Sequence, residues 1–186
     1  MNEKEAITRL KNGDIDALAV LVEQYQVKAV RTANFITQDR ALAEDIVQSA
    51  FIRVYRKIHQ FDDSQPFAPW FMRIIANDAV KAAKRSQRTV SLDATAGESE
   101  VSFVELLPDE SPLPDHQIEN HELKQSIRTA LKQLSPSQRK AVVLRYFLGF
   151  SEKEMADEMD VPRGTVKWRL SAARKYLSAI LPEGVR

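Results

Sequence analysis

From Thr89 to Glu122 the chain carries nine aspartates and glutamates and not one lysine or arginine. Pro108, Pro112 and Pro114 fall inside the same stretch, among serines, threonines and a glycine. Such a segment has little to bury and much like charge to keep apart, and its prolines break any helix that enters it. It reads as an acidic flexible linker over residues 89–117, and it forces the rest of the chain into two separate folding units, 1–88 and 118–186. One feature is unusual for a spacer: the apolar cluster Val101, Phe103, Val104, Leu106 and Leu107. That cluster is expected to dock, on the chain's own domains or on a partner.

On both sides of the linker the apolar residues recur at helical spacing, and glycine is scarce, with five in 186 residues. Asp14 to Ala33 places Leu18, Leu21, Val22 and Tyr25 at i, i+3, i+4 and i+7, one buried stripe of a helix. Asp39 is suited to N-cap a second helix reaching about Gln60, with Ile46, Val47, Ala50, Val54 and Ile58 on its apolar side. The turn-forming run Asp62–Pro66 separates it from a third, about Phe67 to Arg85, which ends in Lys81, Lys84, Arg85 and Arg88. After the linker a helix is expected from about Ile118 to Leu134. Ser135 then caps the next, with Pro136 at its first position and Gln138 completing a capping box. A second capping box, Ser151 with Glu154, opens a short helix. A turn at Asp160–Val161 leads to Pro162 and a last helix reaching about Ile180. The expected fold is all-α: two small helical domains, joined by the acidic linker.

Formal charge narrows the partners. The net value of +1 conceals +3 over residues 1–88 and +7 over residues 123–186, against −9 in between. A basic C-terminal block suggests a polyanion. The chain has no cysteine, so it offers no disulfide, thiol nucleophile or thiolate metal site. No apolar run reaches the roughly 18 residues of a membrane span, and Met1–Leu10 is too charged for a signal peptide. No membrane insertion and a cytoplasmic address are expected. His59, His116 and His121 are scattered, and no phosphate loop, nucleophile elbow or zinc-binding motif is present. An enzyme is not expected, nor a cofactor or a metal.

Ser151 to Tyr176 has the layout of a helix-turn-helix. Val166, Leu170, Ala173 and Leu177, spaced 4, 3 and 4, form the inner face of its second helix, and Ala156 is small where two helices must cross closely. Outward lie Arg163, Thr165, Lys167, Trp168 and Arg169, with Arg174 and Lys175 further along. A recognition helix needs this distribution, because its outer face must offer donors to base edges and phosphates in the major groove. A basic hairpin that only solubilises its domain is the plainer alternative.

With these residues quoted, a resemblance emerges. VPRGTVKWRLSAARKYL and SPSQRKAVVLRYFLGFSEKEMA are similar to the two halves of the C-terminal helix-turn-helix of bacterial sigma factors. AEDIVQSAFIRVYRKIHQF resembles their core-polymerase-binding helix, and WFMRIIAND their promoter-melting helix. Two such blocks, in this order and joined by a short linker, resemble the extracytoplasmic-function group. The resemblance implies a promoter-specificity subunit of RNA polymerase. Asp45, Gln48 and Phe51 would meet the clamp coiled coil of the largest polymerase subunit, although Phe51 equally suits a core. The second domain would also meet the flap of the second-largest subunit. Ser64, Gln65, Phe67, Trp70 and Asn77 would form the loop and pocket that take a flipped base of the downstream (−10) element. Trp70 equally suits packing. Lys81, Lys84, Arg85 and Arg88 would hold phosphates there. Arg163, Thr165, Lys167, Trp168, Arg169 and Arg174 would read the upstream (−35) element.

The sequence departs from the family where Trp168 replaces a small hydroxyl residue, where Ser171–Ala172 replaces a stretch in which a basic residue is common, and where Asp160 takes a turn position often filled by glycine. The linker would either thread towards the polymerase channel or act as a solvated tether. Control is expected from an anti-sigma factor. The competing reading is a stand-alone helix-turn-helix regulator with a helical sensing or dimerisation domain at its N-terminus, which the polymerase-binding and melting segments disfavour. A protein-only helical adaptor is disfavoured by the basic C-terminal block.

Overall fold

The computed structural model describes the backbone of residues 1–90 and 129–180 and the side chains of residues 1–86 and 129–179. The chain divides into two compact units, Met1–Ala94 and Thr95–Arg186. All regular structure among the described residues is helical. The apolar cluster of the acidic stretch lies outside the described residues, as does the expected helix from Ile118 up to residue 128.

The first unit is built from four helices: α1 (Glu3–Lys11), α2 (Leu18–Thr37), α3 (Arg40–Lys57) and α4 (Phe67–Val90). The sequence reading had no place for α1, yet its local chemistry is complete. Asn2 caps it by accepting from the Glu5 amide at 2.9 Å. Glu3 and Glu5 occupy its first turn and Arg9 and Lys11 its last, matching the helix dipole at both ends. Ala6, Ile7 and Leu10 bury one narrow side. The helix expected from Asp14 begins instead as a tight 3₁₀ turn, Ile15–Ala17, capped by Asp14, before α2 proper. α2 ends at Gln38, in the left-handed region at φ 60°, and Asp39 then caps α3 by accepting from the Leu42 amide at 3.0 Å. α4 runs five residues beyond the Arg85 end expected from sequence and enters the first two positions of the acidic stretch.

α2 packs against both α3 and α4. At their junction Tyr25, Phe51, Phe61, Phe67, Trp70 and Phe71 form a ring cluster. Neighbouring centroids lie 4.7 Å apart for Phe51–Phe71, 5.4 Å for Tyr25–Phe67 and 5.0 Å for Phe61–Trp70. Phe67 and Phe71 are fully buried. Tyr25 donates its hydroxyl to the Glu3 carboxylate, tying α2 to α1. Burial first, then that carboxylate, hold its phenol well above the ordinary range. Arg53 and Asp78, paired at 2.8 Å, tie α3 to α4.

In the second unit, a helical segment at residues 129–133 leads to α5 (Pro136–Val142), a widened π turn (Val143–Phe147), α6 (Glu152–Met159) and α7 (Arg163–Ile180). Both expected capping boxes are present. Ser135 Oγ accepts from the Gln138 amide at 3.3 Å while Gln138 Oε1 accepts from the Ser135 amide at 2.7 Å. Glu154 and Ser151 repeat the arrangement at 3.3 and 2.8 Å. The core gathers Ala141, Leu144, Phe150, Met155, Ala156, Val166 and Leu170.

Two cations sit inside this unit. Arg139 is 4% exposed and donates to the carbonyls of Leu131 and Leu134 at 3.0 and 2.6 Å, closing the end of the preceding helical segment. Burial pushes its guanidinium down to about 10, so it stays charged at neutral pH. Lys140, also 4% exposed, reaches from α5 to the Glu158 carboxylate on α6 at 3.6 Å and to the Glu158 carbonyl at 3.4 Å.

Candidate nucleic-acid interface

The geometry of α6, the turn and α7 follows from a few residues. α6 ends where Asp160 takes the left-handed conformation, φ 49° and ψ 56°. A short polar side chain tolerates that region better than most, so the position keeps its turn without glycine. The Val161 amide donates back to the Ala156 carbonyl at 3.1 Å, and the Pro162 carbonyl accepts from Thr165 at 2.9 Å, so the chain reverses within three residues. α7 then buries Val166, Leu170 and Ala173, with Leu177 half-buried, as its 4, 3, 4 spacing requires. Ala156, 9% exposed, lies in the core of this helix pair.

Because that inner face is fixed, the opposite face is fixed too. Arg163, Lys167 and Arg174 stand at i, i+4 and i+11, so they share one side, and all three are exposed together with Lys175. Trp168 is 63% exposed, a large indole left in solvent beside these cations. Lys167 has a loose partner in Glu152 at 3.9 Å, a surface pair of small worth. Thr165 and Arg169 are half-buried, and Arg169 leans on the Met159 sulfur at 3.9 Å. Arg174 Nε donates weakly to the Leu170 carbonyl at 3.4 Å. The result is a cationic helix face with one aromatic in it, carried on a rigid apolar base.

In the first unit, the turn before α4 is ordered by Asp62. Its carboxylate accepts from the Ser64 amide at 2.9 Å and the Ser64 hydroxyl at 2.8 Å, and these bonds hold it below the usual carboxylate range. Ser64 and Gln65 are exposed, Trp70 and Asn77 half-buried, and Lys81, Lys84 and Arg85 exposed along α4. The side chain of Arg88 lies outside the described residues.

Two residues named from sequence do not stand at a surface. Phe67 is 1% exposed in the ring cluster, so it packs the core beneath the turn and cannot stack on an unpaired base. Phe51 is 6% exposed against Phe71, so it belongs to the core and not to a docking face. Six residues make one and two-thirds helical turns, which carries Phe51 away from Asp45; seven make almost two. Ile52 is the residue that stands at i+7 from Asp45 and i+4 from Gln48, and it is 53% exposed. Asp45 and Gln48 are exposed beside it. The signal for Ile52 in the sequence is its place in line with two polar surface residues, Asp45 and Gln48.

Comparison with known proteins bears on both units. Residues 21–89 match the family Sigma-70 region 2, and residues 124–177 match Sigma-70, region 4. The chain is 31% identical to the ECF RNA polymerase sigma factor SigW of Bacillus subtilis, over 94% of each protein. The chain belongs to the extracytoplasmic-function sigma factors. It is also 30% identical to the ECF RNA polymerase sigma-E factor of Escherichia coli, over 95% of this chain and 93% of that one. Among solved structures, CnrH in complex with the cytosolic domain of CnrY shares the fold, with a TM-score of 0.59 at 21% identity over 95% of each chain. The sigma factor RpoE in complex with the anti-sigma factor NepR from Bartonella quintana gives 0.59 at 26% identity, over 83% of this chain and 90% of that one. As a member of this family the chain is a promoter-specificity subunit of bacterial RNA polymerase. The match of the first unit to region 2 also removes the stand-alone regulator, whose N-terminal domain would be a sensor. No helix among the described residues is long and apolar enough to cross a membrane.

Proposed function

We propose that the chain works in the cytoplasm as a non-catalytic subunit whose three surfaces divide the work of initiation, with residues 1–88 and 118–186 as its two domains and 89–117 as their linker. Arg163, Lys167, Trp168 and Arg174 on α7 meet the upstream element, with Thr165 and Arg169 at the edge of the contact. Ser64, Gln65, Trp70 and Asn77 meet the downstream element, and Lys81, Lys84 and Arg85 hold its phosphates. Asp45, Gln48 and Ile52 dock on the clamp coiled coil of the largest polymerase subunit, while the second domain meets the flap of the second-largest. DNA opening draws on binding energy within the holoenzyme, not on a reaction at this chain.

The exposed cationic face of α7, opposite its buried Val166–Leu170–Ala173 face, is the observation that carries this reading. A helix held that way can enter a major groove with its donors already oriented. Control by an anti-sigma factor is part of the proposal, supported by the Bartonella quintana relative, whose solved structure is a complex with one.

The polymerase face is tested by two substitutions at exposed positions, Asp45→Arg and Ile52→Asp, with affinity for purified core polymerase measured by fluorescence anisotropy. Each is expected to weaken binding by about tenfold or more, as for a central contact of an interface. Wild-type affinity in both variants would place the docking surface elsewhere.

A further inference from the structure

Lys11 ends α1, outside residues 21–89 that match region 2. Its ammonium nevertheless converges on the segment that opens the 62–66 turn. Lys11 Nζ donates to the Phe61 carbonyl at 2.9 Å, pairs with the Asp63 carboxylate at 2.8 Å and stands 6.0 Å from the centre of the Phe61 ring. The Lys11 side chain is 23% exposed and Asp63 59%, so the ammonium is partly withdrawn from solvent while its partner stays wet. A charge in that position gains more from its carbonyl and carboxylate than a freely hydrated surface pair would.

The turn has other anchors. Phe61 and Phe67, both buried in the ring cluster, seat its two ends, while Asp62 bonds to Ser64 and the Gln65 amide donates to the Asp62 carbonyl at 3.0 Å within the exposed part between them. α1 does not pack flush against it. A cleft of about 460 Å³ separates Ile7 and Thr8 of α1 from Ser64, Gln65 and Phe67. Lys11 does not line this cleft; from the end of α1 it ties that helix to Phe61 and Asp63, which do, with the Phe61 ring buried below.

We propose that Lys11 is a positioning residue for base selection. As a strut from α1 it fixes the orientation of Phe61–Asp63, and with it the placement of Ser64 and Gln65, so that α1 sets which bases of the downstream element are accepted. The inference rests on the assignment of the 62–66 turn to that element.

The test uses holoenzyme assembled from core polymerase and the full chain, on promoters carrying each of the four bases at each downstream-element position. Opening is followed by 2-aminopurine fluorescence, and affinity for duplex upstream element is measured in parallel. Lys11→Met is expected to reduce the ratio between best and worst base by about tenfold, the scale of one lost hydrogen bond to a base edge. Asp63→Asn should give a smaller loss, Lys11→Arg should retain the wild-type ratio, and duplex affinity should not change. A merely structural role would lower opening on every promoter alike and leave the ratios intact. Should Lys11→Met not fold, Asp63→Asn decides, since that side chain is exposed. Wild-type ratios in folded Lys11→Met, or in Asp63→Asn where it must decide, overturn the strut. A wild-type holoenzyme with no base preference anywhere in the downstream element would instead overturn the assignment of the turn, and the strut with it.

Discussion

Trp168 and Arg163 lie five residues apart on the exposed side of α7, and they should contribute to DNA recognition in different currencies. A guanidinium near a phosphate acts through charge, releasing a counterion whatever the sequence. An indole carries no charge; it offers a broad apolar surface to a thymine methyl group and a single N–H donor. Arg163→Ala is therefore expected to weaken binding to all duplex sequences nearly evenly and to lower the slope of affinity against log salt by about one. Trp168→Ala should leave that slope unchanged and alter the base preferred at one position of the upstream element. Anisotropy titrations of a promoter library at several salt concentrations separate the two. An even loss for Trp168→Ala with a reduced slope would mean that the indole only packs beside the phosphate contacts.

At the scale of elements, the recognition helix depends on a contact that is not part of its apolar core. Lys140 on α5 and Glu158 on α6 form a pair with side chains 6% and 9% exposed, which fixes the first helix of the motif against the helix before it. Loss of one member of a buried pair typically costs roughly 3–5 kcal/mol, whereas an apolar pair of similar volume is often neutral. Lys140→Met should lower the melting temperature of the second unit markedly, and Lys140→Met with Glu158→Leu should recover much of the loss. Circular dichroism melts of the single and double variants check this; equal melting of Lys140→Met and wild type would show that the pair holds nothing.

This pair also marks the limit of what could be read from the chain beforehand. Signals that act within three or four residues were legible: the boxes at Ser135 and Ser151, the Asp39 cap, the left-handed Asp160 and the 4, 3, 4 face of α7. Features that depend on what another element supplies were not. Nothing local says that Arg139 and Lys140 are buried, since their acceptors are the Leu131 and Leu134 carbonyls and Glu158. The π turn at Val143–Phe147 has no sequence rule behind it. α1 is short and polar on average, so periodicity alone does not reveal it. Phe51 turns into the core because six residues fall short of two helical turns, and Ile52 is the residue left exposed in line with Asp45 and Gln48. At the candidate site, the outward cations of α7 and the exposed Ser64 and Gln65 were legible because periodicity and turn chemistry place them, whereas the burial of Phe67 follows from a six-ring cluster assembled from α2, α3, α4 and the segment between α3 and α4.

Across the whole molecule, charge and fold tell the same story. A net charge of +7 over residues 123–186, a first unit whose α4 carries lysine and arginine near its end, and a carboxylate-only stretch over residues 89–122 suit a sigma factor that meets DNA through its basic parts. As a sigma factor this chain confers promoter specificity on RNA polymerase. Run-off transcription with purified bacterial core polymerase and a promoter library, with and without the full chain, tests it most directly. Transcripts should appear from a defined subset of promoters only when the chain is present, with their starts sharing an upstream and a downstream element. No stimulation and no association with core, alongside tight specific binding to duplex DNA by the chain alone, would contradict the account.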